Sequence, residues 1–363
     1  LILLAFDKEN RMIKSEEIAK IVGVSRSTVS RVINNYPNVS EDTRKKVLEA
    51  IEEYKYRPNA YARTLAGKRS ETIGVFFVID EAPESQRRLY HNDFFTTYLD
   101  AIIDIANSKG YYVLVQTITC NEEYEKIDKA FCEQRVDGGI LIGTRKDSLK
   151  YIRDESICQH MVMVDIDPEL VPTHFMEQGL VSVINSKDYQ AVYQAVNYLI
   201  ENGHEKIGFI KGLEKTLSAF TRYDGYLAAI RDNGLSFCKD YILEGDFNQE
   251  KARKEMEKAI QKGTLPTAYI CANDYMAIAA IECLGEHKIR VPEDVSFIGF
   301  DNTQTGELMQ PKLTTLSPDF FAMSKKSVEI IHQHLIDNKK MNAENIFEYD
   351  VELIKRGSVR KIN

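Results

Sequence analysis

The sequence predicts a small all-α head that ends near residue 70, followed by an α/β body of two doubly wound lobes. Three observations predict it. Residues 13–54 carry three short apolar stripes at helical spacing, broken at Gly23-Val24-Ser25 and at Asn34-Asn35-Tyr36-Pro37. From Thr72 onward, short apolar runs alternate with longer amphipathic stretches, as in parallel strands covered by helices on both faces. That alternation occurs twice, so two similar lobes are expected. The charge divides at the same boundary. Residues 1–70 hold 14 Lys and Arg against 9 Asp and Glu, and the remainder holds 33 against 46. The formal net charge of -8 therefore conceals a basic head on an acidic body, and only the head suits a polyanion.

Residues 1–12 are taken as an N-terminal extension, with Met12 as a natural starting point. A first helix covers Ile13–Ile21, with Ile18, Ala19 and Ile21-Val22 placed to face a core. Gly23 breaks it, because a tight turn there needs positive φ. Ser25 caps a second helix from Arg26 to about Asn34, with Val29, Val32 and Ile33 inward. Ser40 caps a third, Glu41–Tyr54, with Val47, Leu48 and Ile51 as its buried stripe. Two short helices joined by Ala19-x-x-x-Gly23-x-Ser25 form a helix-turn-helix signature. Such a motif sets the start of its second helix at base edges in the major groove. Arg26 and Arg31 are then placed to donate to base acceptors, and Ser27 to a base or a phosphate. Thr28 and Ser30 suit phosphate oxygens. The DNA-binding domain is assigned to residues 13–57.

Residues 58–70 read as a hinge helix and linker. Pro58-Asn59 starts it, Ala60–Ala66 supplies two turns, and Gly67 stops it. Two turns are marginal alone in water, so this segment needs something to pack on it. Leu65 is an apolar side chain on a basic segment, suited to wedging between base pairs from the minor groove.

In the body, Thr72–Ile79 is the first strand, and the polar stretch Asp80–Asn92 follows it at the sheet end where such folds bind ligands. Helix Phe94–Ser108, strand Tyr111–Thr117, helix Glu122–Gln134 and strands Gly138–Ile142 and His160–Val164 complete a first lobe. A second set begins after Val181–Asn185. It runs through helix Tyr189–Glu201, strand Lys206–Ile210, helices Arg222–Asp232 and Glu250–Lys262, strand Ala268–Ala272, helix Tyr275–Leu284 and strand Val295–Phe300. Ligand binding between two such lobes is the expectation for this plan.

Polar groups at strand ends and helix starts mark that crevice. Asp165 closes one strand, Arg222 opens a helix, Asn273-Asp274 follows a strand, and Asp301-Asn302 follows another. Carboxylates accept hydroxyl donors, an Arg donates in a fixed fork, and the Phe247 ring offers a face to a sugar ring. Asp274 is equally a helix-capping candidate. Together the residues favour a polyol or sugar effector.

Other classes find little support. No glycine-rich dinucleotide or P-loop fingerprint opens either lobe, and no nucleophile–histidine–acid set has local support, so no enzyme activity and no cofactor are expected. Six cysteines are scattered without a CxxC pair and read as core filler; His332 and His334 lie two apart and share no helical face, so no metal site is expected. No apolar run approaches the roughly 18 residues of a membrane span.

On these residues the chain resembles the lactose/galactose repressor family of bacterial transcription regulators. Glu17–Ser25 followed by Thr28–Asn34 is similar to the family's helix-turn-helix, and Val39–Arg44 and Tyr56–Ala60 to its third helix and hinge. The likeness continues at Val136-Asp137-Gly138, Gly203-His204, Arg222–Tyr226, Ala272-Asn273-Asp274, Val291–Val295, Gly299-Phe300-Asp301 and Pro311–Thr315, and covers about residues 13 to 356. The resemblance implies a periplasmic-binding-protein-like body and a cytoplasmic homodimer on double-stranded, near-palindromic operator DNA, with a small-molecule effector, commonly a sugar. Arg26, Ser27 and Arg31 match major-groove positions. Tyr56, Ala62 and Leu65 match hinge DNA-contact positions. Asp165, Arg222, Phe247, Asn273 and Asp301 match effector positions. It also implies three crossovers, with lobes of residues 71–184 plus 318–340 and 185–317 plus 341–363.

There are departures. Asp80–Asn92 is longer than the usual link to the Asn-x-Phe-Phe motif, Val183-Ile184-Asn185 lacks the common Val-Asp-Asn, and Pro318 stands where some sugar sites hold a polar residue. Three rival readings stand beside it: a regulator that senses a phosphocarrier protein or another non-sugar effector, a solute-binding protein without a DNA role, and a sugar-processing α/β enzyme, which would require turnover with a metal or cofactor.

Overall fold

The computed structural model describes residues 13–56, 69–79, 89, 93–143, 150, 160–337 and 345–362. The chain divides after Ser70 into two compact units. The expected hinge helix lies outside the described residues, as does nearly all of the 80–92 stretch.

The head is three helices, α1 (Ser15–Val22), α2 (Arg26–Ile33) and α3 (Glu41–Glu53). Gly23 ends α1 in the left-handed region at φ 73°, and the Val24 amide returns to the Ala19 carbonyl at 2.9 Å. The hydroxyl oxygen of Ser25 accepts the Thr28 amide at 3.1 Å, which answers one of the unpaired donors of the first turn. Ile18, Ala19, Val29, Val32, Val47 and Ala50 form the core. Two expected core residues are corrected. Ile21 and Leu48 are each 48% exposed. Leu48 stands about 100° around the helix from Val47, so Ala50 and Ile51 carry the stripe instead.

The body's first lobe holds β1 (Thr72–Val78), α4 (Asp93–Ser108), β2 (Tyr112–Ile118), α5 (Glu125–Cys132), β3 (Gly138–Ile142), β4 (Met161–Val164), α6 (Thr173–Glu177) and β5 (Val181–Ser186). The second holds α7 (Asp188–Glu201), β6 (Ile207–Lys211), α8 (Leu217–Asp232), β7 (Ile242–Glu244), α9 (Gln249–Lys262), β8 (Ala268–Cys271), α10 (Asp274–Glu286), β9 (Ser296–Phe300), α11 (Gln304–Leu308) and β10 (Thr314–Pro318). The chain then returns with α12 (Phe320–Asp337) and β11 (Ile346–Tyr349) and crosses again to β12 (Val351–Ile354).

Each lobe is a six-stranded sheet, in the orders β11-β5-β4-β3-β1-β2 and β12-β10-β9-β8-β6-β7. The first is parallel throughout, and the second ends on the antiparallel strand β12. The apolar runs behave as expected of doubly covered strands. Ile73 through Val78 and all of β3, β4 and β8 are buried. Three crossovers join the lobes, at Lys187, Asp319 and Asp350. The last return runs further than expected. β11 pairs with β5, so the chain stays in the first lobe through Tyr349 rather than leaving at residue 340. β7, β10, β11 and β12 were not read from the sequence. Three are only three or four residues long, and β10 lies in a Thr-rich stretch with little alternation. No described helix is long and apolar enough to cross a membrane.

Candidate DNA-reading face and effector cleft

In the head, Arg26, Ser27, Ser30 and Arg31 all lie exposed along α2. Arg26 makes a 3.4 Å ion pair with Glu16, and both side chains are more than half exposed. Such a pair contributes little and leaves the guanidinium free to swing. Ser27 shares a 2.7 Å hydrogen bond with the Ser25 hydroxyl. The Ser30 hydroxyl accepts Asn34 Nδ2 at 3.3 Å. Two expected contacts are engaged locally. Thr28 is half-buried with its hydroxyl on Ser25 at 2.8 Å, part of the helix cap. Tyr56 packs against the head's core, held where its amide meets the Ile51 carbonyl at 2.9 Å. Ala62 and Leu65 lie outside the described residues.

In the body, the C-terminal ends of both sheets border one cavity of about 670 Å³. That volume suits a small organic molecule. Asp165, Arg222, Phe247, Asn273 and Asp301 all line it.

Arg222 is its centre. The helix that carries it begins at Leu217 behind a Thr216 cap, so Arg222 sits in the second turn and not at the start as the sequence suggested. It is only 6% exposed. Its Nε donates to Asp188 Oδ2 at 2.7 Å, Nη1 donates to the Ala272 carbonyl, and Nη1 lies 3.8 Å from Asp301 Oδ1. The guanidinium carbon stands 3.4 Å from the Phe300 ring centroid and 5.9 Å from that of Phe247. Burial works against its charge, but Asp188, Asp301 and Asp165 outweigh burial and raise its pKa.

Asp165 spans the cleft. It follows β4 of the first lobe, and its two oxygens accept the Ser218 amide at 3.1 Å and the Ser218 hydroxyl at 2.9 Å from α8 of the second. Burial, then Asp188, push its carboxyl up to about 6, against the pull of Arg222 and Ser218. Between the ordinary 3.8 and about 6 the folded chain keeps a proton that the unfolded chain has released. Asp165 therefore contributes stability below that window that is lost as pH rises through it. Asp165→Asn keeps an acceptor for the amide and a donor for the hydroxyl without the buried charge. Its melting temperature is expected to exceed that of the parent at about pH 7.5 and to approach it near pH 4. An equal difference at both pH values contradicts the assignment.

Four cleft residues sit at positive φ without being glycine: Asp165 at 58°, Asp246 at 51°, Phe247 at 58° and Asp301 at 101°. Such conformations cost about 1–3 kcal/mol each and cluster where side chains are aimed at a ligand. The edge of the Phe247 ring rests on Gly212, where a Cβ would collide with it. Asn273 caps α10 through Oδ1, which accepts the Met276 amide at 2.9 Å and leaves the amide nitrogen as the donor it offers.

Asp274 is corrected. It is 0% exposed and does not line the cavity. One oxygen accepts the Thr303 amide at 2.7 Å and hydroxyl at 3.0 Å, and the other accepts the Thr315 hydroxyl at 2.6 Å. It points into the lobe, packed so tightly that a Cβ at Gly299 would collide with its carboxylate. It orders the loop after β9 instead.

Asp188 and Ser218 were missed. Asp188 follows a strand end just as Asp165 does, so the same rule finds it. Ser218 carried no signal, because the sequence placed the start of its helix too late.

The comparisons agree with this division of labour. Residues 16–59 match the model for bacterial regulatory proteins of the lacI family, and residues 196–359 match a periplasmic-binding-protein-like domain. An HTH-type transcriptional repressor PurR from Pasteurella multocida is 32% identical, over 95% of this chain and 98% of that one. A probable HTH-type transcriptional repressor ExuR from Bacillus subtilis is 31% identical, over 97% and 99%. Among solved structures, the Lac repressor dimer bound to operator and the anti-inducer ONPF has a TM-score of 0.78 at 26% identity, over 96% of this chain and 100% of that one. A complex of the transcriptional regulator CelR with cellobiose has a TM-score of 0.70 at 25% identity, over 95% and 99%. These relatives are regulators rather than enzymes. The chain belongs to the lacI family of bacterial regulatory proteins, and it is a DNA-binding transcriptional regulator with a ligand-binding effector body.

Proposed function

We propose that the effector is a sugar or a closely similar polyol, and that the chain acts as a cytoplasmic homodimeric repressor that reads a near-palindromic operator. The observation that carries the effector reading is the pairing of Arg222 and the carboxylates of Asp165 and Asp301 with the Phe247 ring in one cavity. Carboxylates and a guanidinium accept and donate to vicinal hydroxyls, while an aromatic face covers the apolar side of a sugar ring. A dinucleotide would need a phosphate cradle, and no glycine-rich fingerprint is present in the sequence.

The switch follows from the two bonds that join Asp165 to Ser218 across the cleft. A bound hydroxyl competes for Asp165 and resets how the lobes close. In the dimer this alters the spacing of the first lobes, the hinge segments lose their mutual packing, and the heads no longer match two half-sites. Release by the effector is the expected sign, with a coupling of about 1–3 kcal/mol.

The Phe247 ring tests the effector reading. Phe247→Ala is expected to weaken binding of the active sugar by roughly tenfold, and Phe247→Trp to retain it, since the ring contributes on the order of 0.5–1.5 kcal/mol beyond its area. Calorimetry over a panel of mono- and disaccharides checks this. A ligand held equally by all three proteins counts against a ring stacked on a sugar, and a panel without a single binder rejects the sugar class.

A further inference from the structure

The second lobe carries a cluster that neither the DNA-reading face nor the effector cleft uses. Cys283 lies on α10 and His287 follows its last turn, four residues on, so both side chains project from one face. That face meets Glu257 on α9. Glu257 Oε2 lies 3.4 Å from Cys283 Sγ and 2.8 Å from His287 Nε2, and the three ligand atoms all lie within 4.8 Å of one another.

Zinc holds sulfur at about 2.3 Å and nitrogen or oxygen at about 2.0–2.2 Å, so tetrahedral geometry sets neighbouring ligand atoms about 3.3–3.6 Å apart. The Cys283–Glu257 separation already has that spacing. The Glu257–His287 contact is a hydrogen bond and has to open by about half an ångström as a metal replaces the shared proton. Cys283 is buried, while Glu257 and His287 reach solvent, which gives a cation an entry path and leaves a fourth position for water. The simpler account is an exposed ion pair beside a core thiol. There the thiol is a weak donor to Glu257 and, at 3.8 Å, to the Arg253 carbonyl. The metal reading rests on the convergence of a thiol, an imidazole and a carboxylate on one point with ligand-atom spacing.

We propose that Glu257, Cys283 and His287 bind one borderline divalent cation of the zinc class and clip α9 to α10. A thiolate, an imidazole and one carboxylate suit such an ion, whereas calcium and magnesium require oxygen ligands. The Arg253–Glu286 ion pair ties the same two helices beside it. The position matters for the cleft. Lys251 and Lys254 on the first turns of α9, and Asn273 at the cap of α10, all line the cavity. The clip therefore fixes the two helices whose N-terminal ends border the effector.

The full chain, stripped of metal by a chelator, is titrated with cobalt(II), whose thiolate complexes absorb by sulfur-to-metal charge transfer. One equivalent is expected to bind with that band and with the strong visible absorption of a tetrahedral site. Cys283→Ser is expected to lose the charge-transfer band. The surface variants His287→Ala and Glu257→Gln, which leave the buried thiol in place, are expected to weaken binding by roughly tenfold or more. The proposal is overturned by the absence of a thiolate band at one equivalent, by a band that survives Cys283→Ser, or by parental affinity in both surface variants.

Discussion

Arg222→Met is expected to destabilise the effector body by about 3–5 kcal/mol and to abolish its response to ligand. The size follows from what is left behind. Asp188 is 3% exposed, and without the guanidinium it is left with the Ser186 hydroxyl and no counter-ion among the described residues. A buried carboxylate without its counter-ion must protonate or draw in water, and both cost folding free energy. The Ala272 carbonyl and Asp301 lose the same partner. Lysine does not repair the site, because a single ammonium cannot reproduce the fork that meets Asp188 and Ala272 together while lying over Phe300. Thermal unfolding, followed with and without the active ligand, checks both halves. A variant with the parental melting temperature contradicts the central place given to this residue. A variant that is destabilised yet still changes operator affinity with ligand contradicts only its role in the switch.

The second large effect belongs to the head. Arg26→Ala is expected to cost about 1–3 kcal/mol on the preferred duplex, a loss of roughly 5- to 150-fold, and to relax the choice of one base pair. Its guanidinium stands at the first position of α2, and its partner Glu16 is exposed and weakly held. If Arg26 reads a guanine, non-specific binding at low salt changes little and the preferred base is lost. If it holds a phosphate instead, affinity falls alike on every sequence and the salt dependence drops by about one counterion. Selection from a random duplex library with the parent and the variant separates the two. An identical preferred sequence for both proteins contradicts the base-reading role.

Much of this was legible in the sequence, for identifiable reasons. The strands β1, β3, β4 and β8 are covered on both faces, so their apolar runs are nearly continuous and stand out. Ser25 and Ser40 announce helix starts because a cap requires a short polar acceptor. Strand-end carboxylates pointed to the cleft, since parallel sheets gather their C-terminal ends on one side. The same rule could not separate Asp165 from Asp274. Both are acids at strand ends, but backbone geometry turns the half-buried Asp165 to Ser218 across the cleft and the fully buried Asp274 inward to Thr303 and Thr315. Short strands such as β7 and β11 were illegible, because three or four residues carry too little pattern. Glu257, Cys283 and His287 were equally hidden. Cys283 and His287 are four apart, but Glu257 comes from another helix, and only the packing of α9 on α10 brings them together.

The central claim is that occupancy of the cleft sets how well the heads hold a specific operator. The most direct measurement is the affinity of the full chain for its selected duplex at moderate salt, titrated with a panel of sugars and polyols. One ligand is predicted to change that affinity by roughly 5- to 150-fold, with the effect lost in Arg222→Met. A chain that prefers no duplex sequence, or whose operator affinity no ligand in the panel alters, contradicts the account.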